Sequence, residues 1–278
     1  MKYETGIAIA FQKKVNEKEA LHKIKDAGIK HVMPHGKLGD FEGTIEYAKG
    51  LGLGIPFVHL DYTYINNLWQ EGTKKEEEIK RKIESLKACK RCGIDTVVIH
   101  PTELDSSTIT VERVSKIDKA AGLESYTRIL RTAQELGIKI ALENLKAVNI
   151  PLLEHLLDNI ESPYLGFCYD AGHHYAHVPH MDLMGKYGHR CFAIHISDNN
   201  MDDIDLHLLP FDGKIDFARV MKEIGASSYD KGVILLEVRW DDVKAGKRYA
   251  DITPVEFLER AKRAGDKLSV LEPVVCIN

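Results

Sequence analysis

"LGFCYDAGHHYAH" (residues 165–177) opens as an unbroken apolar run, stops on Asp170, and sets His173 and His174 just past Gly172. An apolar run of this length is a strand covered on both faces. Aspartate and histidine are costly to bury alone, so a strand that ends in them raises a question about its neighbours. If other strands end the same way, the polar groups meet in one place.

Seven further runs have the same character: "GIAIAF" (6–11), "KHVMPH" (30–35), "IPFVHL" (55–60), "TVVIH" (96–100), "IKIALE" (138–143), "CFAIHI" (191–196) and "GVILLE" (232–237). Between them lie helical patterns such as "NEKEALHKIKDAG" (16–28), "KKEEEIKRKIESLKACKRCG" (74–93), "SYTRILRTAQELG" (125–137) and "IDFARVMKEIG" (215–225). Gly28, Gly93, Gly137 and Gly225 stand where a helix C-terminus favours a left-handed residue. Eight strand–helix units without a break in composition predict an α/β fold, a single (β/α)8 TIM barrel forming one domain over 1–278. An open dinucleotide-binding sheet would need its glycines between strand and helix. In "KGLGLGIPF" (49–57) they precede a strand.

The chain has 278 residues, 44% of them hydrophobic, enough for a large core. Its 38 basic and 42 acidic residues give a net charge of −4, which argues against broad attraction to nucleic acid or anionic lipid. No run approaches the roughly 18–20 apolar residues of a membrane span, and the N-terminus lacks a signal-peptide pattern. Five scattered cysteines are no disulfide framework. Cys89 and Cys92 form one C-x-x-C that reads as a helical face, so a reducing cytoplasm is the expected setting.

The active end of such a barrel is the C-terminal end of its strands. His59, His100, Glu143, Asp170, His195 and Glu237 fall there, His173 follows Asp170, and Asp205 and His207 lie in "DDIDLHLLPFDGK" (202–214). Gly172 is read as a sharp turn that folds His173 back over the site. His174, His177 and His180 read as ordinary loop histidines. Carboxylates gathered without counter-charge repel, and a divalent cation relieves both repulsion and desolvation. Imidazole with carboxylate and no thiolate suits Zn, Mn, Fe or Co.

The segments "HLDYTYINNLWQEG" (59–72), "VVIHP" (97–101), "ALENL" (141–145), "YDAGHHYAH" (169–177), "IHISD" (194–198), "DLHLLPFDGKIDF" (205–217) and "LLEV" (235–238) resemble the xylose isomerase-like barrel superfamily. The resemblance is strongest with its sugar phosphate isomerase/epimerase branch. It implies one divalent metal, Zn or Mn, on Glu143, Asp170, His195 and Glu237. It also implies proton exchange with a sugar or keto-polyol by Glu143 and Glu237, and a sugar contact from His173. His207 can orient hydroxyls, and Trp69 can cover a sugar face or pack in its loop. Isomerase, epimerase and dehydratase all remain open, and barrels of this kind often pair as homodimers.

The same superfamily contains the family 2 apurinic endonucleases, which hold three zinc ions and cleave DNA at abasic sites. Their ligand set is matched by His59, His100, Glu143, Asp170, His173, His195, Asp205, His207 and Glu237, so up to three metals per chain are implied. Lys74, Lys75, Lys247 and Arg248 are the candidate phosphate contacts, but the acidic loop after the seventh strand disfavours a DNA groove. That loop also lacks the arginine the epimerases place there. A barrel that binds a sugar without catalysis is a third alternative. The terminal "SVLEPVVCIN" (269–278) can cover the barrel or meet a second subunit.

Overall fold

Strand side chains point alternately to opposite faces, and here the two faces feed two separate cores. Ala8, Met33, Phe57, Val98, Ala141, Cys168, Ala193 and Leu235 form an inner cluster, one residue from each successive strand region. Their neighbours Ile7, Val32, Val58, Val97, Ile140, Phe167, Ile194 and Ile234 belong to the larger outer core. That core is completed by helical residues such as Leu21, Ile45, Ile79, Ile129, Leu153, Val220 and Leu258. A sheet apolar on both faces requires this two-sided cover.

The computed structural model of the chain describes residues 3–12, 16–37, 39–103, 117–241 and 248–271. The strands are β1 Glu4–Ala8, β2 His31–Met33, β3 Val58–His59, β4 Thr96–Ile99, β5 Lys139–Glu143, β6 Leu165–Asp170, β7 Cys191–His195 and β8 Val233–Leu236. The helices are α1 Glu17–Asp26, α2 Phe41–Gly50, α3 Thr73–Arg91, α4 Lys119–Leu136, α5 Ile150–Asn159, α6 Ala171–His177, α7 Leu183–Tyr187, α8 Phe217–Ala226 and α9 Pro254–Ser269. Pairing is parallel throughout, in two ladders ordered β2–β1–β8 and β3–β4–β5–β6–β7.

At the two seams between the ladders stand isolated bridges, His31 with Gly54, His35 with His59, and Ile196 with Leu236. The expected strands there are shorter than predicted, and Pro34 and Pro56 explain it, because proline offers no N–H to a ladder. The first strand also stops early, at Ala8, and passes into a 3-10 turn over Ile9–Phe11.

Asn16, Asp118 and Asp216 cap α1, α4 and α8 by accepting backbone N–H bonds, and Thr253 heads α9 in a reciprocal box with Glu256. Gly137 ends α4 with φ +69°, as its position predicts. Gly225 does not end a helix: α8 runs through it to Ala226, and Ser227 is the cap. No helix among the described residues is long and apolar enough to cross a membrane. Residues 272–278 of the terminal segment lie outside the described residues.

Candidate metal centre

The polar groups continue the inner layer. Two residues beyond Met33, Phe57, Val98, Ala141, Cys168, Ala193 and Leu235, on the same strand face, come His35, His59, His100, Glu143, Asp170, His195 and Glu237. The cluster therefore sits at the C-terminal ends of the strands, above the inner apolar layer.

All nine residues read as ligands fall into three groups whose candidate atoms lie within 4.8 Å of one another. One is His59, His100 and Glu143; the second is Glu143, Asp170, His195 and Glu237; the third is His173, Asp205 and His207. Glu143 belongs to two of them. Its Oε2 lies 3.0 Å from His59 Nε2 and 3.4 Å from His100 Nε2, and its Oε1 lies 3.2 Å from His195 Nδ1 and 3.3 Å from His173 Nδ1. Asp205 Oδ2 stands 2.7 Å from His207 Nε2 and 3.6 Å from His173 Nε2.

The far sides of several rings fix their tautomers. Nδ1 of His59, His173 and His207 lies at hydrogen-bond distance from the carbonyls of Leu60, Asn144 and Glu237, at 2.8, 2.9 and 2.8 Å. His100 Nδ1 meets the Glu103 carboxylate at 2.7 Å. A carbonyl can only accept, so these Nδ1 atoms donate, and in a neutral ring Nε2 is then a bare lone pair. For His59, His100 and His207 that lone pair faces a carboxylate oxygen. Two lone pairs in contact need a proton or a cation between them, and this is the outer-sphere arrangement that orients metal-bound histidines.

Asp170 Oδ2, Asp205 Oδ1, Glu237 Oε2 and His195 Nε2 are buried without a hydrogen-bond partner. His195 Nδ1 is only 2.8 Å from Glu237 Oε2, yet the pair is not aligned as a hydrogen bond. A buried polar atom left unsatisfied costs about 1–3 kcal/mol, and a cation held between Asp170 Oδ2 and Glu237 Oε2 would satisfy both. The donor set fits a divalent cation.

Burial alone would raise the Glu143 carboxyl and lower the imidazoles. The charge of His195 and the bonds from His100, His173 and His195 instead hold Glu143 well below its usual range. Against the same desolvation, nearby carboxylates raise His100, His173 and His207, and His195 is raised well above its usual value as well. Asp170 moves the other way, pushed up to about 6 by burial. Metal and protons therefore compete at the same atoms. Apparent metal affinity is expected to fall as pH is lowered, starting above the ordinary imidazole value of about 6.5. Competition titrations from alkaline to acid pH measure this, and constant affinity down to 6.5 would contradict it.

Three supporting residues lie outside the predicted set. Asn144 clamps β5 to β6, its Nδ2 donating to the Asp170 carbonyl and its Oδ1 accepting from the Asp170 amide, both at 2.8 Å. Asp198 accepts from the amides of Asn199, Phe211, Gly213 and Ile215, and so shapes the loop that carries Asp205 and His207. His35 stacks on His59 with centroids 4.6 Å apart.

Other expectations need correction. Of the two roles open to Trp69 the structure fits packing: it is 1% exposed, donates from Nε1 to the Pro101 carbonyl at 2.8 Å, and lies against Tyr126 and Gly122. Gly172 is not a turn but lies within α6, where a Cβ would come 2.0 Å from Ser197 Oγ, so close packing requires the glycine. His174 and His177 are helical, bound to Tyr169 and Asp203 respectively. Lys75 is tied to Glu71 and Glu124, Lys74 and Arg248 are exposed, and Lys247 lies outside the described residues.

Residues 21–272 match the family model described as xylose isomerase-like TIM barrel, and the chain belongs to that family. An uncharacterized protein y4fM from Sinorhizobium fredii (strain NBRC 101917 / NGR234) is 30% identical over 158 residues, 55% of this chain and 49% of that relative. The match thus spans about half of the relative's length. Among solved structures, D-psicose 3-epimerase with D-tagatose from Clostridium cellulolyticum H10 superposes with TM-score 0.74 at 14% identity, covering 97% of this chain and 99% of that one. The IolI protein with a bound zinc atom superposes with TM-score 0.71 at 18% identity, covering 95% and 97%. Identities this low speak to the fold alone.

Proposed function

We propose that the chain is a divalent-metal-dependent isomerase or epimerase acting on a sugar, sugar phosphate or keto-polyol by proton transfer next to a carbonyl. It would work as one domain whose seams close an eight-stranded barrel. The observation that carries this reading is the group of Glu143, Asp170, His195 and Glu237, with its orphaned buried oxygens. The epimerase structure similar to this chain supports it. Those four residues would hold a Zn or Mn ion. When bound, the cation supplies Lewis-acid stabilisation of the charge that develops on the substrate oxygens.

The two glutamates differ in a way that suggests their roles. The Glu143 side chain is 1% exposed and enclosed by four imidazoles, whereas that of Glu237 is 18% exposed and keeps one oxygen free of hydrogen bonds. Glu237 is the carboxylate that reaches the substrate and removes the proton. Glu143 anchors the centre and stands across His195 as the second carboxylate, for proton return. Return to the opposite face epimerises, and return to the adjacent carbon isomerises. His173 and His207 orient hydroxyls.

A second reading, a multi-metal phosphodiesterase acting on abasic DNA, is favoured by the two additional groups around His59–His100 and His173–Asp205–His207. Metal content per chain, measured on protein purified without chelator, separates the two. About one ion per chain is expected when only the four-residue group fills. About three would favour the second reading and make an abasic duplex the next substrate.

A further inference from the structure

Four arginines among the described residues are partly buried, and three have acceptors. Arg81 pairs with Asp61 and Glu78, Arg128 with Glu76 and Glu124, and Arg190 donates to the carbonyls of Leu157, Ile160 and Leu165. Arg239 has no such partner among the described residues. It follows Glu237 by two positions, and its amide donates to the His207 carbonyl at 3.0 Å, which starts its side chain at the rim of the metal centre. Its guanidinium nitrogens are not among the buried unsatisfied atoms, so water serves them in the free protein and an anion can take that water's place.

A second cation without an ion-pair partner among the described residues, the exposed Lys37, lies in the loop after β2. The Lys37 ammonium stands 3.4 Å over the Tyr62 ring, and Tyr62 stacks on the candidate ligand His100 with centroids 4.0 Å apart. Lys37 also donates its amide to His35 Nδ1 at 3.0 Å. A backbone N–H can only donate, so Nδ1 is bare and the ring proton of neutral His35 sits on Nε2, a donor with no hydrogen-bond partner among the described residues. β2 and β8 flank β1. Lys37 and Arg239 therefore follow strands on either side of β1 and the turn after it, a segment that carries the small Ala8 and Ala10 before Gln12.

We infer that Lys37 and Arg239, with the Nε2–H of His35, form a subsite for the phosphate of a phosphorylated sugar whose carbonyl end lies at the metal centre. The inference rests on the proton-transfer reading for its substrate class. Two cations and a neutral donor match a dianion with three oxygens. Burial draws the Lys37 ammonium below its usual value, and Arg239 adds to this, although Asp61 and Glu103 pull the other way. Those two carboxylates are already engaged, with Arg81 and His100.

The test uses the metal-loaded full chain, with inorganic phosphate as the calorimetric probe and a panel of ketoses with their terminal phosphate esters as substrates. Lys37→Gln and Arg239→Gln are each expected to weaken phosphate binding about tenfold or more, while Arg239→Lys keeps most of it. Preference for a phosphorylated over the matching free ketose, as a ratio of kcat/KM, is expected to fall by a similar factor. Equal phosphate affinity in wild type and both glutamine variants would overturn the subsite. If free ketoses exchange protons with solvent under that result, the sugar reading survives without it. If phosphate binding depends on both residues but no ketose of either kind reacts, the subsite stands and the sugar reading falls. Variants that lose binding to an abasic duplex while keeping phosphorylated sugars would overturn the small-molecule assignment.

Discussion

Glu143→Gln is expected to abolish turnover and to empty more of the metal centre than substitution at any other single position. Glu143 is the member common to two of the three ligand groups, and its two oxygens face four imidazoles at 3.0–3.4 Å. An amide keeps the shape but removes the charge that compensates those rings, and it turns an NH2 toward bare ring nitrogens or a cation. Losing both cation and second carboxylate should lower turnover by about ten-thousandfold. Breaking a buried charge cluster costs about 3–5 kcal/mol, so stability should fall as well. Elemental analysis, denaturant titration and turnover on the same preparation check all three. Glu237→Gln is the informative contrast: it too should abolish turnover, but as a more exposed member of one group it should retain more metal. Near wild-type turnover in either variant would sink the two-glutamate mechanism.

Asp198→Ala is expected to have the second largest effect, though Asp198 belongs to no ligand group. Its carboxylate accepts four backbone N–H bonds at 2.8–3.1 Å, from residues spread between 199 and 215. The loop it gathers holds Met201, Asp203, His207 and Phe211 at positive φ, between 47° and 75°. Each such non-glycine residue costs on the order of 1 kcal/mol or more, and persists only where surrounding bonds impose it. Removing the carboxylate leaves several amides unsatisfied, for a loss of at least about 3 kcal/mol. Asp205 and His207 should lose their common geometry, while the Glu143–Asp170–His195–Glu237 group survives. Denaturant titration and amide exchange over residues 199–215 measure this. An Asp198→Ala protein with unchanged stability and unchanged loop protection would contradict it.

Much of the centre was legible because strand periodicity carries it. His59, His100, Glu143, Asp170, His195 and Glu237 each end an apolar run, and the barrel gathers such ends. His35 bears the same signal, two residues past Met33 as His59 is past Phe57, but a lone histidine after Pro34 does not stand out until the inner layer is seen whole. The sequence left Trp69 open between covering a sugar and packing in its loop, because burial in a 3-10 turn leaves no periodic trace; the space it fills is opened by Gly122 on α4. Gly172 and Gly225 show a related limit. Glycine serves left-handed turns and close approach equally, and only a tertiary neighbour such as Ser197 tells which. Asp198 was invisible as a loop organiser because its partners are backbone amides, which every residue but proline supplies.

The central claim is proton transfer at a metal centre by Glu237 and Glu143, and its most direct measurement is solvent deuterium incorporation. Metal-loaded protein would be incubated in heavy water with a panel of ketoses and ketose phosphates, and the carbon next to the carbonyl followed by NMR. Deuterium at that carbon with the wild-type chain, and none with Glu237→Gln, is the predicted result. No incorporation into any member of the panel by fully metal-loaded protein, alongside cleavage of an abasic duplex, would contradict it.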